Sequence, residues 1–182
     1  APGGLACRDP PRPSGAPTMP AIPPTDILEV MRHVPHRYPF VLVDRVDGGE
    51  SGEWLRATKH VSMDAPYFVA TSGDSAPVMP PTLIVEALAQ AGGILCFFSG
   101  LLKPRGGSTT FLAAVDHTRF VRDTHAGETL TLDCRLKRAL RGVIRIEGRA
   151  AVGDDTVVET VLTMVVRDTE PELAAHDPRN AP

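Results

Sequence analysis

The segment 82–98, TLIVEALAQAGGILCFF, constrains this chain more than any other stretch. It is apolar on nearly every side, so a helix here leaves no face for water and must be enclosed by the rest of the chain. Pro80 and Pro81 suit its entry, because the N–H that proline lacks is unpaired in a first helical turn anyway. One ionisable residue interrupts the run, Glu86, and Gln90 follows one turn later on the same face. A lone carboxylate in such surroundings costs several kcal/mol unless it is partnered or stays protonated. That cost makes Glu86 the first candidate for chemistry, against the plainer reading of a side chain that reaches an exposed end or pairs with a buried arginine.

The other segments say what encloses the helix. Asp26 or Thr25 can cap a short helix over 27–33, and Pro35 ends it. The run 41–46 is apolar enough for a buried strand, Asp47-Gly48-Gly49 reads as a turn, and 54–61 as the returning strand. After the helix come four strand-like segments, 109–115, 129–138, 142–152 and 156–167, rich in Val, Ile, Leu and Thr. Arg141-Gly142 and Gly153-Asp154-Asp155 mark hairpins between them. The expected fold is α+β: a strongly curved antiparallel sheet wrapped around one long helix, with an edge strand at which two copies pair.

The 182 residues suit one such domain. Residues 1–24 hold eight of the eighteen prolines and are expected to be a disordered leader, with Met19 a candidate natural start; 25–168 form the domain and 169–182 a polar, flexible tail. A net charge of −3 gives no general basic field for nucleic acid. Three scattered cysteines, without metal-ligand spacing, fit a reduced, cytoplasmic setting. The run from 82 to 102 is nearly long enough to span a bilayer, but Glu86, Gln90 and Gly92-Gly93 argue for a core helix instead.

Four stretches resemble one family. PHRYPFVLVDRV (35–46), PVMPPTLIVEALAQAGG (77–93), FLAAVDHTRFVRDTHAGETL (111–130) and RLKRALRGVIRIEGRAAVGDDTVVETVL (135–162) are similar, in that order, to the 3-hydroxyacyl-ACP dehydratases of the FabZ type, which have the hot-dog fold and act as dimers. The resemblance implies an acid–base dehydration. A His removes the α-proton of a β-hydroxyacyl thioester, an acid on the central helix releases the β-hydroxyl as water, and a backbone N–H at the helix start holds the thioester carbonyl. It also implies that the His and the acid of each site come from different subunits, and that no metal or organic cofactor takes part.

Carried over by position, the acid is Glu86. The family's His falls on Ser72, which is no base at neutral pH without an activating partner. The glycine whose N–H would hold the carbonyl falls on Pro81, which has none. Loss of one oxyanion donor alone costs roughly 10²–10³ in rate, so the resemblance implies a chain inactive or weak by itself. His36 belongs to the PHRYPF motif and is expected to be structural, as are the other histidines.

Three functions fit these residues. The chain is the Glu-bearing, His-lacking subunit of a heterodimeric 3-hydroxyacyl-ACP dehydratase in fatty-acid or polyketide and polyene synthesis. Alternatively it is a non-catalytic subunit that binds acyl groups or acyl carrier protein. Or it is a hot-dog thioesterase or isomerase that uses Glu86, with Ser72 and Asp74 assisting. All three imply an acyl–pantetheine arm against the helix, with Met79, Pro81, Leu83, Ala87, Gln90 and Phe97 as lining candidates. An acidic carrier protein would meet a basic rim, for which Arg105, Arg119, Arg122 and Arg138 are candidates.

Overall fold

The structure, a computed structural model, describes residues 20–68, 76–103 and 107–168. Seven strands form one antiparallel sheet: β1 (Ala21–Ile22), β2 (Arg45–Glu50), β3 (Trp54–His60), β4 (Ser108–Phe120), β5 (Thr129–Leu140), β6 (Val143–Val152) and β7 (Asp155–Asp168). Their spatial order is β1-β2-β3-β5-β6-β7-β4. Two α-helices accompany it, α1 (Ile27–His33) and α2 (Pro81–Phe98), with a short 3-10 turn at Pro66–Phe68.

Helix α2 is the core. Ile84, Leu88, Ala91, Ile94 and Leu95 are buried against β3, β5, β6 and β7. Sheet and helix approach closely where side chains are smallest: a Cβ on Gly148 of β6 would lie 3.3 Å from Leu88 Cδ1. Among the described residues α2 is the one helix long and apolar enough to cross a membrane, and 61% of it is buried inside this fold. Helix α1 starts where the sequence placed it, with the Asp26 carboxylate accepting from Glu29 N–H at 3.0 Å.

Three expectations need correction. The disordered leader expected through residue 24 does not hold at its end, while 1–19 lie outside the described residues: Ala21–Ile22 pairs with Gly49 and Glu50 of β2, and Ile22 is buried. The segment 41–44 is not part of a strand. Leu42 and Val43 are buried as their apolarity demands, but Leu42 N–H goes to a side chain on α2 instead of a sheet neighbour. Asp47-Gly48-Gly49 is not a turn but the middle of β2, and the chain reverses at Ser51-Gly52-Glu53. Gly48 sits at a register shift with φ +149°, and a Cβ on Gly49 would lie 2.5 Å from Trp54 carbonyl oxygen. These glycines therefore serve a bulge and a close approach of β2 to β3.

The four later strands match expectation to within a residue or two at most ends. The exception is β4, which runs on to Phe120 through two register shifts, with His117 at φ +51° within the second. It is the last strand of the sheet, and its outer edge exposes Phe111, Leu112, Val115 and Phe120.

Gly49→Ala should destabilise the domain by about 1–3 kcal/mol, because the clash is with backbone that cannot step aside. A lower urea midpoint with an unchanged slope is the expected result.

Candidate active site

Glu86 lies on the face of α2 turned away from the deepest core, and its side chain is 35% exposed. The sequence suggested an enclosed carboxylate; instead it borders a cavity of about 250 Å³ between α2, the segment after α1 and the edge strand β4. His33, Pro35, His36, Gln90, Gly93 and Phe111 are among the residues that line it.

Gln90 organises this site. It is buried to 3% exposure, and its amide is almost fully used. The carbonyl oxygen accepts from Leu42 N–H at 2.9 Å. The NH₂ group donates to Phe40 carbonyl oxygen at 2.8 Å and to Glu86 Oε1 at 2.9 Å. Two backbone partners of opposite polarity leave no choice about which way the amide points. The network therefore fixes the PHRYPF loop on α2 and orients Glu86, while the other carboxyl oxygen makes no hydrogen bond to Gln90.

The loop so fixed brings a residue that sequence reasoning assigned to structure alone. His36 Nε2 lies 3.4 Å from Glu86 Oε1, and both side chains are about one-third exposed at the cavity. Fifty residues separate the two in the chain, so no local spacing could have shown the pairing. Their common tether to Gln90 makes it. His36 Nδ1 has no hydrogen-bond partner among the described residues.

His33 closes the cavity at the end of α1. It is 6% exposed, stacked on Phe97 with ring centroids 4.1 Å apart and edge-on to Phe98. Burial lowers its pKa below the ordinary 6.5, against the pull of Glu29, whose Oε1 is 3.1 Å from Nε2. Neither ring nitrogen completes a well-aligned hydrogen bond among the described residues.

Of the six lining candidates, Gln90 borders the cavity. Phe97 packs under His33, Met79 and Ala87 are fully buried core, Leu83 is partly buried against that core, and Pro81 is exposed at the helix start. Pro80 caps α2 without a side-chain bond and Pro81 is its first residue. Met79 N–H donates to Thr124 carbonyl oxygen at 2.8 Å, which pins the entry to the turn after β4. Ser72, Asp74 and Arg105 lie outside the described residues.

The other candidate arginines stand apart. Arg119 pairs with Glu159 at 2.7 Å. Arg122 pairs with Glu128 at 3.1 Å, and its guanidinium holds that carboxyl below the usual carboxylate range. Arg138 is exposed on β5, opposite Arg145 of β6. Burial pushes the Cys96 thiol up to about 12 and raises Cys134 as well, so both stay protonated. No cluster of metal-ligating side chains occurs among the described residues.

A curved antiparallel sheet around one helix meets its counterparts among known proteins. A FabA-like domain model matches residues 34–161. The 3-hydroxyacyl-acyl-carrier-protein dehydratase FabZ of Dechloromonas aromatica is 41% identical over 143 residues, spanning 79% of this chain and 99% of that protein. The chain belongs to the FabA-like family. FabZ of Variovorax paradoxus is 39% identical over 142 residues, 78% of this chain and 94% of that one. The dehydratase heterocomplex ApeI:P of Xenorhabdus doucetiae superposes with a TM-score of 0.64 at 20% identity, over 81% of this chain and 95% of that one. The fold is thus the hot-dog fold of FabA-like proteins, and the resemblance at 35–46, 77–93, 111–130 and 135–162 lies almost wholly within the matched span.

Two measurements test the site's construction. Gln90→Leu strands Leu42 N–H and Phe40 C=O, and should cost about 1–3 kcal/mol of unfolding free energy; Gln90→Glu should not rescue it, since a carboxylate there faces Phe40 oxygen and Glu86. For His33, the folded value lies below the unfolded 6.5, so the unfolded chain binds the proton more readily. Its contribution to stability is complete above about pH 6.5 and is lost as pH falls through the lower folded value. Urea midpoints at stepped pH should show that decline in the wild type, and His33→Leu should shrink it.

Proposed function

We propose that this chain is the Glu-bearing subunit of a heterodimeric 3-hydroxyacyl-ACP dehydratase, in fatty-acid or polyketide-type synthesis. The observation that carries the proposal is Glu86, oriented by Gln90 and open to a cavity beside an exposed apolar edge strand. In the reaction a base takes the α-proton of the thioester. The electron pair forms the Cα–Cβ double bond, and the β-hydroxyl leaves with the proton of the Glu86 carboxyl as water. Glu86 can serve the second half of that step, with one oxygen held by Gln90 and the other free to carry the proton.

The family's base position is Ser72 and its carbonyl-holding position is Pro81, so a partner subunit would supply both the His and the N–H. The exposed edge of β4 is apolar enough to receive a second sheet. FabZ relatives act on 3-hydroxyacyl-ACP by name, and a chain of the same fold takes part in a dehydratase heterocomplex. Among the candidate carrier contacts, Arg138 has the stronger claim, because Arg119 and Arg122 are already paired.

A second reading rests on one distance. With His36 Nε2 at 3.4 Å from Glu86, the chain could hold base and acid together and work as a homodimer. Against it, a general base is usually oriented through its second nitrogen, and His36 Nδ1 has no such partner among the described residues. The assay is dehydration of a 3-hydroxyacyl-ACP by the chain alone and by the chain co-expressed with a His-bearing hot-dog subunit. Activity only in the pair, lowered about 10²–10⁴-fold by Glu86→Gln, is expected. Activity of the chain alone that His36→Gln abolishes would establish the second reading. Activity in neither would leave a binding subunit.

A further inference from the structure

In the dehydration proposed above, Glu86 gives its proton from one oxygen while the other is held, and two side chains meet the oxygen that is held. Gln90 donates to Oε1 at 2.9 Å, and His36 Nε2 lies 3.4 Å from the same atom. No hydrogen bond reaches Oε2 among the described residues. The Gln90 amide cannot turn over, because Leu42 N–H and Phe40 carbonyl oxygen fix its two ends. Oε1 therefore always meets an N–H. It is the carbonyl-type oxygen of the protonated acid, and the acid proton sits on Oε2.

The imidazole is held as firmly. Arg37 Nη1 donates to the carbonyl oxygens of Val34 at 3.1 Å and His36 at 2.8 Å. Phe40 N–H donates to Arg37 carbonyl oxygen at 2.7 Å, and Gln90 ties Phe40 to α2. A neutral imidazole has one N–H and one bare nitrogen. With the proton on Nδ1, Nε2 would turn a lone pair toward Oε1, and the buried Nδ1 has no partner among the described residues to accept from it. With the proton on Nε2, the ring donates to Oε1. The surroundings select the second form.

At 3.4 Å the contact is longer than a formed hydrogen bond. It has room to tighten, and the step that tightens it is loss of the acid proton. The base takes the α-proton, the C–H electron pair becomes the second Cα–Cβ bond, and the β-hydroxyl leaves with the Oε2 proton as water. The negative charge left on Glu86 spreads over both oxygens, and a charged acceptor makes the stronger hydrogen bond.

We propose that His36 is a positioning residue for the acid: its Nε2–H stabilises the Glu86 carboxylate as it forms, and His36 itself neither takes nor gives a proton. The inference rests on the reading of Glu86 as a dehydratase acid, and it gives His36 a role other than base. The interaction is stronger in the transition state than before it, so it raises turnover and leaves binding alone.

The test is steady-state dehydration of a 3-hydroxyacyl-ACP by whichever oligomer is active as wild type, with this chain carrying His36→Gln or His36→Leu. The glutamine amide nitrogen reaches the place of Nε2 and donates there, but takes no proton at neutral pH; leucine does neither. His36→Leu should lower kcat about 10–100-fold with KM within about twofold, and His36→Gln should recover all but about threefold. Nitrogen NMR of the histidine-labelled full chain should place the His36 proton on Nε2. That tautomer and the activity of His36→Gln decide the matter should His36→Leu not fold. A proton on Nδ1, equal losses in both variants, no loss in either, or a loss carried by KM would each overturn the inference and leave the dehydratase reading intact. A wild type that dehydrates nothing, alone or paired, would overturn that reading and this inference with it.

Discussion

The side-chain amide of Gln90 is the interaction on which the candidate site depends. It is buried, and it joins three things the chain keeps far apart in sequence: the loop after α1, through Phe40 and Leu42; the core helix; and the carboxylate of Glu86. A buried amide that lost any of these partners would bear the full cost of desolvation. The three bonds therefore hold as a unit, and they position the one acidic side chain of α2 at the cavity. The pairing of His36 with Glu86 follows from that tether.

Enclosure of α2 decides the rest of the architecture. A helix with so little polar surface needs a sheet that bends around it, and the bend is built from local features. Gly49 lets β2 approach β3, Gly148 lets β6 approach Leu88, and bulges in β2, β4, β5 and β7 let the ladder turn. The same curvature leaves one end of the sheet unfinished. At β4 the backbone edge is open and its side chains are apolar, which is a costly surface to leave in water and a natural place for a second sheet.

Much of this was legible in the residues. The long helix, the short capped helix and four of the strands follow from apolar runs, from Asp26 and from turn glycines, because those signals are local. Segment 41–44 misled, since a buried apolar run looks alike whether its N–H groups bond to a strand or, as at Leu42, to a side chain forty-eight residues away. Asp47-Gly48-Gly49 misled because glycines that make room for a neighbouring strand have the same composition as glycines that turn. Glu86 stood out by its isolation, and Gln90 by its spacing from it. His36 did not, because its place at the site depends on a contact that only the folded chain makes. Phe97 is apolar and on the right helix, yet its ring belongs to the packing under His33.

The FabZ relatives and the cavity at Glu86 support the proposed dehydratase chemistry, and it is the proposal that divides it between two chains, with an acid here and a base elsewhere. Exchange at the α-carbon requires a working base, whether the label enters by reversal of the dehydration or by return of the proton before water is lost. The decisive measurement is therefore deuterium incorporation at Cα of a 3-hydroxyacyl-ACP incubated in heavy water with the purified chain and followed by mass spectrometry. The account predicts none above the uncatalysed background until a His-bearing subunit is added. Incorporation by this chain alone would contradict it, and would place a working base within the chain itself.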